Sequence, residues 1–219
     1  MSQRFSLLPG APAPETDCLA ALRLATKELH ARLDASLPLG RDDATLEDYR
    51  HHTLAVSAWL MALHPYLSTL EPLAPGFRFA DPARLDALQQ DARDAHGGHS
   101  TPDADEARIS DSTRALADQA FTESGTAGQT AASWGMAYVV EGSQLGGQLL
   151  YRRLGPRLAP HPLRYLQGAG LDTGARWKRF TTLLNANVHS DFDVRMACAG
   201  ARAGFEGLQR VFQEHGVFA

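Results

Sequence analysis

In the stretch "LRLATKELHARLD", Leu22 to Asp34, a single imidazole stands among charges at helical spacing. Residues three, four and seven apart share one face of a helix. His30 therefore lines up with Lys27 and Arg23 on its N-terminal side and with Asp34 one turn beyond it. This set has two readings. One is an imidazole that reaches as a ligand into a pocket also holding an anionic group. A partly buried, hydrogen-bonded histidine on a solvated flank is the plainer reading of the same residues. His51, His52, His64, His96, His99, His161, His189 and His215 read as surface or structural groups. His96 and His99 with Asp91 and Asp94 straddle a helix end and a Gly-Gly loop, without a known metal-ligand spacing.

A second stretch, "YVVEGSQLGGQLLYRRLG" (Tyr138 to Gly155), carries Gly142, Gly146 and Gly147 inside a helical pattern. Each glycine costs about 1 kcal/mol relative to alanine, so the three weaken the helix by roughly 3 kcal/mol. On a helix Gly135, Val139, Gly142 and Gly146 fall along one face, with Ser143 and Gly147 beside it. The aromatic and branched neighbours Tyr138, Val139, Val140, Leu145, Leu149 and Leu150 carry the helix through. Such a groove has almost no side chain, so either another helix or a flat ligand lies directly on the backbone. Spacing by itself favours helix packing.

The elements that must position these two stretches are helical. Leu19, Leu22, Thr26, Leu29, Leu33 and Leu37 recur at threes and fours from Asp17 until Pro38 and Gly40 stop the pattern. A second helix is predicted over about 46–70, with Leu54, Trp59, Leu60, Leu63 and Leu67 inward and Pro65 as a kink point. Further helices are predicted over about 83–94 with Pro82 at its first position, and over 103–121, 128–153, 172–187 and 191–214. No alternating strand pattern and no repeat interrupts them. The expected fold class is all-α, a single-domain bundle of about seven to eight helices spanning 17–219, preceded by a flexible Pro- and Ala-rich arm over 1–16.

Bulk properties narrow the function. The 219 residues suffice for one sizeable core, with 44% hydrophobic and 21% charged residues. A net charge of −4 gives no electrostatic footprint for nucleic acid or an anionic membrane. Two cysteines, Cys18 and Cys198, form no disulfide framework and fit a reducing compartment. With neither a signal-peptide pattern nor a membrane-span run, the expected location is the cytoplasm.

Together the two stretches resemble the heme oxygenase family. Its first helix carries a pattern like L-[KR]-x-A-T-K-x-x-H, matched by Leu22, Arg23, Ala25, Thr26, Lys27 and His30. Its distal helix carries G-x-x-x-G-G, matched by Gly142, Gly146 and Gly147, and "YVVEGSQLGG" is similar to the bacterial, bacteriophytochrome-associated branch. The tail "ACAGARAGFEGLQRVF" looks like the family's last helix, so the resemblance runs from about Leu19 to Phe212. It implies that His30 is the proximal ligand of heme iron, with Asp34 behind it. Arg23, Lys27 and Lys178 match basic positions near the heme propionates, with Arg179 a nearby substitute for Lys178. Tyr138, Val139 and Gly147 line the heme with Gly142 and Gly146, while Gly142, Ser143 and Gly146 form the catalytic distal face.

Heme would be both substrate and cofactor, cleaved by O2 to biliverdin, carbon monoxide and ferrous iron. No flavin or nicotinamide motif is apparent, so electrons would come from a ferredoxin or a flavoprotein reductase, and a bacteriophytochrome could receive the product. Two positions depart from the vertebrate pattern. Ser143 stands where an aspartate anchors the distal water network, and Thr182 stands at a basic position one turn beyond Lys178. Alternatives are a non-catalytic heme carrier or sensor on the same fold, and a di-iron oxidase of similar helical architecture. The latter needs Glu-x-x-His pairs, which the predicted helices lack.

Overall fold

The computed structural model describes residues 17–95 and 110–218. Among them are seven α-helices and no strand: α1 (Cys18–Ser36), α2 (Leu46–Ser68), α3 (Pro82–Ala95), α4 (Asp111–Glu123), α5 (Gly125–Leu154), α6 (Thr173–Asn187) and α7 (Asp191–Glu214). The expected N-terminal arm, the start of the helix predicted from 103, and the pair His96 and His99 lie outside the described residues.

Most helix starts are written in side-chain caps. Asp17 accepts from the Leu19 and Ala20 amides, and Ser110, Asp172 and Ser190 each cap α4, α6 and α7 in the same manner. Thr45 and Asp48 form a reciprocal capping box at the start of α2. At the end of α1, Pro38–Gly40 forms one 3-10 turn, and Glu71–Leu73 in the predicted "EPLAPGF" loop forms another. Pro65 sits inside α2, whose helical bonding continues to Ser68.

Helix α7 is the organising element, packing along α5, α4, α1 and α2. Its contact with α5 is the most extensive in the molecule, and small residues make it possible. A Cβ on Gly135 would lie 1.8 Å from the Ala197 carbonyl oxygen, and one on Gly200 2.0 Å from that of Ala132. The backbones touch directly. On the other side of α7, the Trp59 indole of α2 donates to the Gly204 carbonyl at 3.0 Å.

The same core encloses His52 of α2, which is 7% exposed, with its ring 5.2 Å from that of Phe212 and its Nδ1 unpartnered. Burial without a counter-charge pushes its pKa down to about 4. Between pH 6.5 and 4 the unfolded chain takes up a proton here that the folded chain refuses, so stability falls as pH drops through that window. The gap corresponds to about 3 kcal/mol. Urea titrations at pH 7 and pH 4 should show that loss for the natural chain. His52→Leu should remove most of the difference, and an unchanged pH dependence in that variant would reject the assignment.

Candidate functional site

The predicted imidazole–carboxylate pair is formed. His30 Nδ1 lies 2.9 Å from Asp34 Oδ2, and both side chains are open, 61% and 64% exposed. With Nδ1 engaged, Nε2 is the nitrogen left for a ligand. The ring leans on Phe205 of α7 at 5.9 Å between centroids. Gly204, the neighbour of Phe205, rests on Val139 of α5, whose Cγ2 is 3.4 Å from where its Cβ would be. Through α7, His30 is thereby placed near the glycine-bearing part of α5.

A second link comes from Tyr138. Its phenol meets the Thr26 hydroxyl of α1 and lies close to Arg23. Thr26 is one helical turn before His30, and Tyr138 is one turn before Gly142. The Thr26–Tyr138 contact thus ties α1 to α5 one turn before His30 in the first helix and one turn before Gly142 in the second. Helix α1 packs on α7 and touches α6. Burial raises the Tyr138 pKa, so this link is a neutral phenol.

The glycines of α5 do different things. Gly135 is consumed by packing on α7, as spacing suggested. Gly147 is buried, with the Leu166 side chain 3.6 Å from its Cβ position, and Val139 is buried against Gly204. Gly147 and Val139, which the family resemblance put against the ligand, thus have protein on the faces these contacts occupy. A Cβ on Gly142 would meet only the Trp177 indole, at 3.7 Å, and one on Gly146 would meet nothing within 4 Å. Gly142 and Gly146 are the open surface.

The cations Arg23, Lys27 and Lys178 are exposed, and Arg23 lies close to Tyr138. Arg179 is directed elsewhere: its guanidinium donates to the Pro75 carbonyl at 3.0 Å and lies over Phe77, so it is no substitute for Lys178. The Thr182 hydroxyl is spent on the Lys178 carbonyl, 3.1 Å away. Ser143 donates its hydroxyl proton to Val140 O at 2.8 Å, leaving the oxygen lone pairs to accept.

Behind α5 lies a buried charge cluster. Glu141, immediately before Gly142, is 3% exposed and receives Arg84 of α3 at 3.0 and 2.7 Å. Arg176 of α6 binds the same carboxylate at 2.8 and 2.9 Å, stacks on Phe77 at 4.2 Å and also donates to the Arg78 carbonyl. Asp81, 3.8 Å from Arg176, supplies the second negative charge. This cluster fastens α3, α5 and α6 together at the level of Gly142.

A third fastening follows α5. Asp91 is fully buried and accepts from the Tyr49 hydroxyl at 2.6 Å, the Tyr165 amide at 2.9 Å and Arg164 at 3.1 Å. The loop so pinned lays Leu166 on Gly147, where Gln148 donates to the Leu166 carbonyl at 3.2 Å. Tyr165 is buried with its hydroxyl facing Ser143 and Gln144, and burial raises its pKa. None of Glu141, Arg84, Arg176, Trp177 or Tyr165 was singled out by local sequence pattern. Their partners are remote in the chain.

A family model described as heme oxygenase matches residues 16–214. The chain belongs to the heme oxygenase family. It is 45% identical over 82 residues to a curated heme oxygenase of Xanthomonas campestris pv. campestris (strain 8004). That alignment covers 36% of this chain and 48% of the relative, about half its length. The heme oxygenase fold is also seen by superposition. The structure of heme oxygenase from Leptospira interrogans matches with a TM-score of 0.68 at 17% identity, over 91% of this chain and 100% of that one. Heme oxygenase-1 from the cyanobacterium Synechocystis sp. PCC6803, in complex with heme, matches with a TM-score of 0.67 at 17% identity, over 91% and 92%. At that identity the likeness establishes the fold.

The residues present fit heme. A nitrogen donor backed by a carboxylate, a helix surface bare of side chains at Gly142 and Gly146, the neighbouring rings of Tyr138 and Trp177 and exposed cations match an iron ion, a flat macrocycle and two carboxylates. Among the described residues no cluster of three or more His, Cys, Asp or Glu side chains is arranged to hold a metal ion, so a di-iron site finds no donor set there.

Proposed function

We propose that this heme oxygenase family member cleaves heme to biliverdin, carbon monoxide and ferrous iron, using O2 and electrons from a separate reductant of the ferredoxin or flavoprotein class. The observation that carries the reading is the open His30 imidazole, whose Nδ1 is taken by Asp34, on a helix tied through Thr26 and Tyr138 to the one that bares its backbone at Gly142 and Gly146. Bound heme supplies the iron that activates O2 and the ring carbon that is oxidised. The protein binds and orients it.

In this reading His30 Nε2 is the iron ligand, and Asp34 fixes the ring and raises its basicity. Arg23, Lys27 and Lys178 would receive the propionates, with the neutral Tyr138 phenol beside Arg23. Gly142 and Gly146 would lie against the macrocycle with no side chain to fill the space needed by O2 or to bind the iron. Ser143 holds its own proton on Val140 O, so toward a distal water its Oγ would act as an acceptor, beside the Tyr165 hydroxyl that also faces it. The resemblance of "YVVEGSQLGG" to the bacteriophytochrome-associated branch supports a bacteriophytochrome as recipient of the biliverdin. No described helix is long and apolar enough to cross a membrane, and we place the reaction in the cytoplasm.

Hemin added to the purified protein is expected to give a histidine-ligated Soret band. Under oxygen and an electron donor that band should decay as biliverdin absorbance rises. A Soret band that persists with every donor tried would reject turnover and leave a heme carrier. His30→Ala is expected to lose the native ligation and turnover at least about a hundredfold. Unaltered spectra in that variant would show the ligand to be another residue.

A further inference from the structure

We propose that Trp177 is the specificity-determining residue of this site: its indole, held over Gly142, is the wall that decides which edge of the macrocycle is open to attack. The proposal rests on the heme reading above and extends it to a residue that no family motif marks. The two bare glycines are one turn apart, about 6 Å along the helix, and they are not equivalent. The six-membered edge of Trp177 approaches the Cβ position of Gly142 at 3.7 and 3.9 Å, whereas Gly146 has no neighbour within 4 Å. The distal cover is therefore lopsided. A small molecule between ring and helix finds space at Gly146 and an indole beside Gly142.

The indole is also held firmly. It packs between Tyr138, at 5.9 Å and 51°, and Phe180, at 5.5 Å and 34°. The residue before it, Arg176, is bound twice to Glu141, and Glu141 is the residue before Gly142. The clamp thus joins α5 and α6 one residue upstream of the two groups whose spacing matters. A rotation of Trp177 away from Gly142 would have to break aromatic packing on both sides. Steric preference of this kind, enforced at a fixed wall, discriminates between competing positions by about tenfold to a hundredfold.

Trp177 can be observed independently of turnover. Trp59 and Trp134 are fully buried, while Trp177 is half-buried, so it supplies the solvent-sensitive part of the intrinsic fluorescence. The test compares the natural chain with Trp177→Ala and Trp177→Phe. Three readouts apply: emission of the heme-free protein, proton NMR of the ferric hemin complex at the heme methyls, and chromatography of the biliverdin isomers. Trp177→Ala should raise the share of minor isomers about tenfold and add a second set of heme methyl signals. Trp177→Phe, which keeps a ring over Gly142, should stay within about twofold of the natural chain.

Identical methyl signals and isomer ratios in Trp177→Ala, with its solvent-sensitive emission lost, would overturn the proposal. If Trp177→Ala does not fold, Trp177→Leu is compared with Trp177→Phe by the same readouts. Hemin that binds without being cleaved leaves the methyl signals to decide. A natural chain that takes up no hemin overturns the functional reading and this proposal with it. A natural chain that works and variants that match it overturn this proposal alone.

Discussion

Gly200→Ala is expected to cost the protein at least about 3 kcal/mol, because the added carbon meets backbone and not a movable side chain. It would sit 2.0 Å from the Ala132 carbonyl oxygen and 2.7 Å from its carbon. No rotamer change relieves that clash, so α5 and α7 must separate along the largest helix contact in the molecule. For a chain of this size the loss corresponds to a fall in melting temperature of about 6–12 °C, readable by calorimetry. Gly146→Ala is the matching control. With nothing within 4 Å of its Cβ position, it should leave the heme-free protein unharmed or stabilise it by up to about 1 kcal/mol. The same methyl group would occupy the space assigned to the ligand, so hemin binding and turnover should suffer. Equal melting temperatures for the two variants would refute the division of α5 into packed and open glycines.

Glu141→Ala should be nearly as damaging. It would leave Arg84, 2% exposed at its side chain, and Arg176, 13% exposed, facing each other with the more distant Asp81 as the remaining counter-charge among the described residues. Breaking a buried pair by removing one partner costs about 3–5 kcal/mol, most of it the desolvation of the charge left behind. Urea unfolding measures the loss. Arg84→Met combined with Glu141→Leu should recover part of it, since the apolar pair strands one charge fewer. A double variant less stable than the sum of the single ones would show that the cluster contributes through something other than charge pairing.

How much of this was readable beforehand depends on distance along the chain. The His30–Asp34 contact is a one-turn relationship, and spacing alone placed both side chains together. Helix starts were legible for the same reason, because a cap such as Ser190 on Asp193 lies within three residues. The last helix was predicted over 191–214, where it is found. The glycines of α5 show where local reading stops. Four of them lie on or beside one face in the sequence pattern, yet one meets α7, one Trp177, one Leu166 and one nothing. What each meets is contributed by residues 19 to 66 positions away, which spacing within the helix does not encode. Glu141 is the extreme case: its sequence neighbours drew attention as glycines, while its own partners are 57 and 35 residues distant. Lys178 and Arg179 are adjacent, but a loop carbonyl and the Phe77 ring claim the second.

The fastenings of α5 fall at Gly135, Glu141 and Gly147, six residues or about 9 Å apart. Mechanically, the span between the last two is a short beam clamped at both ends and thinned in the middle, since Gly142 and Gly146 both lie within it. The inner side of the span is propped as well, by the Tyr165 hydroxyl against Ser143 and Gln144. A ligand pressing on the thin outer side would therefore meet a backbone braced from behind, so that the helix keeps its line when a macrocycle arrives or a product leaves.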